Sequence, residues 1–542
     1  MGIEIGLSII PEKISSELWQ EVYEESLLLL EAYPFASLRK IEKGKREIPV
    51  LSSQLEHNKD DCSKRFWALC GDLKSKKTGE NFQLYYDLSH YCDSDKFNTD
   101  KNQSRPEDIL VHLLDYSRGG ESKGKDVFFN KTQGLCYHNY ILALAMLFET
   151  RLYPHAATKG YITYGQAQKA KEWADEHLLK PVDIPARLNL KELHKRLTPS
   201  LTGLELIQGI EELWLGDPQE FFDYSLAYFG QSLMEKWLAK RLRGSFLANE
   251  TEPTKKHMQT ITLGDINLFI QWLNATEDLE RLAYISCKDP DGPLFSADEF
   301  CEAIPGTWLT IPNEKYSFLK YFELKPGESD TVDTMLVDIV MQTQFTGRKM
   351  KIYYHLDKAI QVLQNIFPQV SDTIEKRMRE QQGQIEEIIE NQRDKYAPYL
   401  ENMESLENIK KSENEYEEEV FLYYDGNEDQ DDYEFIELAA SSIKMVMDKC
   451  SSYENYKDLL AAVETKGWKG LVFDAIETEK LILTEEALEW IEKEQDEEVL
   501  KLLFFSTSLN QLTKNNSITL NLVRGMFENR DLALRIKGLA FP

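Results

Sequence analysis

Apolar positions follow two rhythms along the first two hundred residues. Residues 3–10 are an apolar run broken by Pro11, which predicts a short strand. Leu18, Trp19, Val22, Tyr23, Leu27 and Leu30 then recur at helical spacing, with Ser16 as the expected N-cap and Pro34 as the stop. Residues 38–62 are polar and are expected to form a loop. The aromatic runs 65–71 (RFWALCG) and 81–88 (NFQLYYDL) flank a Lys/Ser/Gly turn and predict an antiparallel hairpin over 65–89. A hydrophilic stretch, 93–106, reads as a mobile connection, and 107–117 as a helix. The strongly apolar segment 136–152 predicts a buried helix ending before Pro154. A strand over 156–162 follows, then a helix over 165–179 with Ala167, Ala170, Trp173, Ala174 and Leu178 on its inner face.

Beyond residue 200 the period is helical. Helices are expected over 203–213, 218–243, 264–273, 276–284, 356–367 and 370–396, with short strands at 307–311 and 349–355. The last third predicts short amphipathic helices at 435–449, 453–464, 484–493, 497–506, 519–528 and 532–539. Their spacing hints at solenoid-like packing, although no period-locked residues accompany it. The fold class expected is an α+β N-terminal body followed by mainly α-helical domains. The expected division is an α+β domain at 1–200, a helical middle domain at 201–410 and an acidic helical C-terminal domain at 411–542.

Charge sharpens this picture. The chain has 542 residues and a formal charge of −30. Residues 401–500 carry 30 Asp/Glu against 9 Lys/Arg, a net of −21, whereas residues 1–250 carry 37 against 32. Such a field opposes phosphate backbones, so direct nucleic-acid binding is not expected. The 7 cysteines are scattered with no C-x-x-C pair, which fits reduced thiols rather than a disulfide framework or a metal site. No signal-like N-terminus and no long apolar stretch occurs, so a cytoplasmic protein without a membrane span is expected.

Candidate chemistry is sparse. Cys136 follows Gly134 at the expected start of the apolar helix, where a helix N-terminus would favour a thiolate. Gln133 could donate to an oxyanion, and His138, His155, His177 or His194 could act as base. This arrangement resembles the nucleophile helices of papain-like and transglutaminase-like enzymes, and the resemblance implies a cysteine-dependent hydrolase or transferase. No downstream exposed His followed by a matching Asp completes it.

Three other patterns fail on composition. Asp425, Asn427, Asp429 and Asp431 alternate like the first ligands of an EF-hand loop, but Gln430 and Ile436 replace its essential Gly and Glu. A second acidic cluster, Asp289, Asp291, Asp298 and Glu299, lacks that pattern too. The spacing of a phosphate loop holds from Gly119 to Lys125, but Asp126 replaces the Ser or Thr that would hold magnesium. No cofactor or metal is therefore expected.

The leading expectation is a non-enzymatic interaction or adaptor protein. Its acidic C-terminal surface, through Glu417, Glu418, Glu419, Asp429, Asp431 and Asp432, would meet a protein partner with a basic surface.

Overall fold

The computed structural model describes residues 3–43, 46–92, 108–120, 124–244, 261–316, 350–409, 424–425, 430–450, 456–512 and 517–541. They form an α+β N-terminal body and a helical remainder, with 20 α-helices among the described residues. The strands are β1 (Glu4–Ile9), β2 (Phe35–Lys43), β3 (Arg46–Ser52), β4 (Glu56–His57), β5 (Phe66–Asp72), β6 (Thr78–Tyr85), β7 (Lys125–Lys131), β8 (Ala156–Gly160) and β9 (Leu483–Thr484). One sheet has the order β7-β1-β8, antiparallel throughout. The second runs β4-β5-β2-β3-β9, with β6 paired to β5.

The apolar rhythm of the N-terminus translates directly. Helix Ser16–Ala32 starts where the Ser15 hydroxyl accepts from the Leu18 amide at 3.1 Å, one residue before the expected cap. Trp19, Val22, Tyr23, Leu29 and Leu30 are buried, and Leu18 points outward. Trp19 donates to the Tyr85 carbonyl at 3.0 Å, and Trp67 donates to the Ser26 hydroxyl at 3.1 Å. These two indole bonds fix the helix to the β5–β6 hairpin. Helix His138–Arg151 is enclosed on all sides, with every residue from Ile141 to Phe148 at 0% exposure. A helix apolar all round its circumference belongs in a core, and this one packs on β1, β8 and the helices Ser16–Ala32 and Tyr164–His177.

A buried ionic knot joins this body to the middle helices. Asp108 caps helix Ile109–Ser117 by accepting from the Leu110 amide at 2.8 Å. The same carboxylate takes a two-pronged contact from Arg196, at 2.9 Å on each prong. Arg196 also donates to the Pro154 carbonyl at 3.0 Å, and Glu149 beside it accepts from the amides of Thr158 and Ala186 at 2.7 and 2.8 Å. Ile109, Leu110, Val111 and Leu114 belong to the apolar core of the middle helices, so that core begins well before residue 200.

Several local expectations are corrected. Residues 38–62 are not a loop: β2 and β3 form a ribbon registered from Ser37–Ser52 to Lys43–Arg46. Ile48 and Val50 of this ribbon belong to the core of the C-terminal helices, and β3 runs parallel to β9 through Val50–Leu483 and Leu51–Thr484. The expected helix 218–243 is two helices, Pro218–Phe229 and Gln231–Arg243, because Gly230 adopts φ 80° between them. The expected strands at 307–311 and 349–355 do not form. Trp308 turns back at φ 60°, and the two segments share one backbone bond, from the Tyr354 amide to the Leu309 carbonyl at 2.9 Å. Gly119 precedes a strand rather than a helix, and Asp126 accepts from the Ser8 hydroxyl and the Lys159 ammonium at 2.6 Å each. The hydrophilic stretch 93–106 lies outside the described residues.

The long charged helix extends over Ser371–Ile409 and buries Ile374, Met378 and Ile389. Farther on, helix Tyr456–Thr478 bends at Gly467, φ 69°. Helix Gln430–Cys450 packs on Arg530–Ala540, so the first long helix of the C-terminal third meets the last. No helix among the described residues is long and apolar enough to cross a membrane.

Candidate functional site

The Cys136 turn is built from backbone geometry. Gln133 and Gly134 both take the left-handed region, φ 58° and 74°, so the chain leaves β7 through a tight turn. The helix begins at His138 with Tyr137 as its cap, placing Cys136 two residues outside the first helical turn. Cys136 is half-buried and Gln133 is exposed. His138 is buried, and its Nδ1 lies 2.6 Å from the Thr132 hydroxyl. Burial pushes the imidazole down to about 4. A base serving a thiol works best when poised near neutral pH, and His138 lies far below that range. The turn thus brings Gln133, Cys136 and His138 into one short stretch, with the ring committed to Thr132.

Of the acidic candidates, Glu417, Glu418, Glu419 and Asp429 lie outside the described residues. Asp431 and Asp432 belong to the opening of helix Gln430–Cys450. The rest of this helix has a sharply divided circumference. Ile436, Ala439, Ala440 and Ile443 face the C-terminal core. On the opposite face, at successive helical steps, stand Glu434, Glu437, Leu438, Ser441, Met445 and Asp448. Leu438 is 63% exposed and Met445 51% exposed, two turns apart on that face. Large apolar side chains held this far into water, with Glu434 and Glu437 at one end and the Lys444–Asp448 ion pair and Lys449 at the other, are the recognisable feature of the C-terminal third.

A groove on the N-terminal body was not anticipated from the sequence. The outer face of the N-terminal sheet holds a groove of about 430 Å³, floored by Phe66, Ala68 and Cys70 of β5 beside Asn81 and Gln83 of β6, with His57 of β4 on its wall. The His57 and Phe66 rings stack with centroids 4.9 Å apart and planes at 24°. Burial, assisted by the Arg39 charge, lowers the His57 pKa, and burial raises the Cys70 thiol to about 11. Both groups are therefore uncharged at neutral pH. The alternation of residues 65–71 was the available signal, but a groove also needs the strands β2 and β4, which polar composition concealed.

Among the described residues, no group of three His, Cys, Asp or Glu side chains is arranged to hold a metal ion. The chain matches no family model, no curated protein and no solved structure.

Proposed function

We propose that this chain is an intracellular, non-enzymatic interaction protein whose acidic C-terminal third receives a basic amphipathic segment of a partner protein. The observation that carries this reading is the outward face of helix Gln430–Cys450, where Leu438 and Met445 stand exposed among Glu434, Glu437 and Asp448. Apolar anchors supply affinity when a partner covers them, and the acidic side chains beside them select and steer a positively charged one. In sequence, Glu417, Glu418, Glu419, Asp429, Asp431 and Asp432 precede this face and add to the negative charge of the segment. The reading needs no solenoid. It draws on the contact between the first long helix of this region and the last, which holds the display face from behind.

The test is a fluorescence titration of the full chain with a synthetic helix carrying Leu on one face and Lys on the other. Saturable binding is expected, weakening about tenfold as salt is raised. The double variant Leu438→Ser/Met445→Ser should lose at least about tenfold in affinity, and Glu437→Lys should slow association. Equal affinity for wild type and the double variant would remove this face from the proposal.

A further inference from the structure

The groove on the N-terminal sheet points to a second binding activity, independent of the acidic face. Strand β5 is interior, paired with β6 on one side and with β2 and β4 on the other. Its ladder groups are therefore engaged, and an incoming peptide cannot be recognised by strand addition there. Recognition must come from side chains projecting off the outer face.

Those side chains are of one kind. Phe66, Ala68 and Cys70 alternate along β5, so they share that face. Asn81 and Gln83 do the same on β6, with Gln83 directly opposite Ala68 in the register. Neither carboxamide is hydrogen-bonded to another described residue, so each offers an N–H donor and a C=O acceptor to the groove. None of the residues facing the groove is an acid, a lysine or an arginine. The volume, about 430 Å³, falls within the range of small-molecule sites.

We propose that this groove binds an uncharged, planar heterocycle of nucleoside size. Its ring lies against the Phe66–His57 pair, and its donor–acceptor edge is read by Asn81 and Gln83. Aromatic stacking is tolerant of ring identity, whereas a carboxamide pairs in two-pronged fashion with a heterocycle carrying adjacent donor and acceptor atoms. The lining carries no charged side chain, and the nearest cation acting on His57, Arg39, is already paired with Glu485 at 3.5 Å, which favours a neutral ligand over a phosphate.

The experiment uses the full chain and two neutral probes, adenosine and uridine, with adenosine monophosphate as the charged comparison. Saturation-transfer NMR and calorimetry should find saturable binding of at least one nucleoside. Asn81→Ala/Gln83→Ala should weaken it at least about tenfold, as loss of two-pronged pairing requires. Ala68→Trp, which fills the groove from its floor, should abolish it. Glu205→Gln, exposed on helix Gly203–Leu213 and not among the groove's lining residues, should leave it unchanged, and unchanged melting curves would show that all variants fold. The proposal is overturned by no saturable signal from either nucleoside, by undiminished binding in the groove variants, or by markedly tighter binding of the monophosphate.

Discussion

Lys76, in the turn between β5 and β6, places its ammonium 3.0 Å from the carboxylate of Glu528, whose side chain is fully enclosed. The same carboxylate accepts from the amide and hydroxyl of Thr484, at 2.9 and 2.7 Å. Thr484 in turn caps helix Glu485–Lys493. One buried acid thereby locks the N-terminal hairpin, β9 and the C-terminal helices together.

Removing the cation while leaving the acid isolates this contact. Lys76→Met should cost about 3 kcal/mol, because a buried carboxylate loses its charge partner. Glu528→Gln should cost less, since a neutral amide can still accept from Thr484. Urea denaturation at neutral pH measures both, and a Lys76→Met midpoint equal to wild type would contradict the assignment.

The Asp108–Arg196 knot makes a sharper prediction for combined variants. Asp108→Asn leaves an almost wholly buried guanidinium with Glu149, 3.4 Å away, as its remaining charge partner and should destabilise by about 3 kcal/mol. Asp108→Leu combined with Arg196→Met removes that pair but leaves Glu149 without its cation, so only the triple variant with Glu149→Gln should recover much of the loss. Comparing the single, double and triple variants checks the non-additivity.

Stability should fall with acid through His138. Its folded pKa, about 4, lies below the ordinary value of 6.5, so the unfolded chain takes up the proton first as pH drops. The contribution is therefore present in full above pH 6.5, declines as pH falls, and levels off below about 4, with a total span of about 3 kcal/mol. His138→Gln should flatten this part of the profile. Chemical denaturation of the two proteins between pH 7 and 4 gives the difference directly.

Alkylation should rank the thiols. Cys62 is exposed and should react first with iodoacetamide at neutral pH. Burial pushes Cys70 to about 11 and Cys301 to about 12, and raises Cys287 as well, so these three should react only on unfolding. Peptide mapping over time reads the order. Cys136 reacting ahead of Cys62 would favour the cysteine-dependent hydrolase or transferase over the binding reading.

Elements whose partners are near in sequence were legible. Helix Ser16–Ala32, the β5–β6 hairpin and helix His138–Arg151 each carry their own apolar period, and the Ser15 cap marks the start of the first helix. The β2–β3 ribbon was not legible, because Ile48 and Val50 gain their burial from helices hundreds of residues later. The apolar run 307–311 suggested extended backbone, yet Trp308 reverses it. The start of the 136–152 segment was read two residues early, since the positive φ of Gln133 and Gly134 has no periodic signature. The carboxamides Asn81 and Gln83 lie within the expected strand 81–88, and only the neighbouring strands make them part of a concavity.

The pairing of β3 with β9 has a consequence for biosynthesis. The ribbon is synthesised well before the strand that completes its edge, because β3 pairs through Val50 and Leu51 with Leu483 and Thr484. An unpaired edge is a template for wrong partners, so a translating ribosome must carry this ribbon with its edge open until residues 483–484 have emerged. Protection by a chaperone during that interval, or slow synthesis penalised by aggregation, follows from where residue 483 falls along the message.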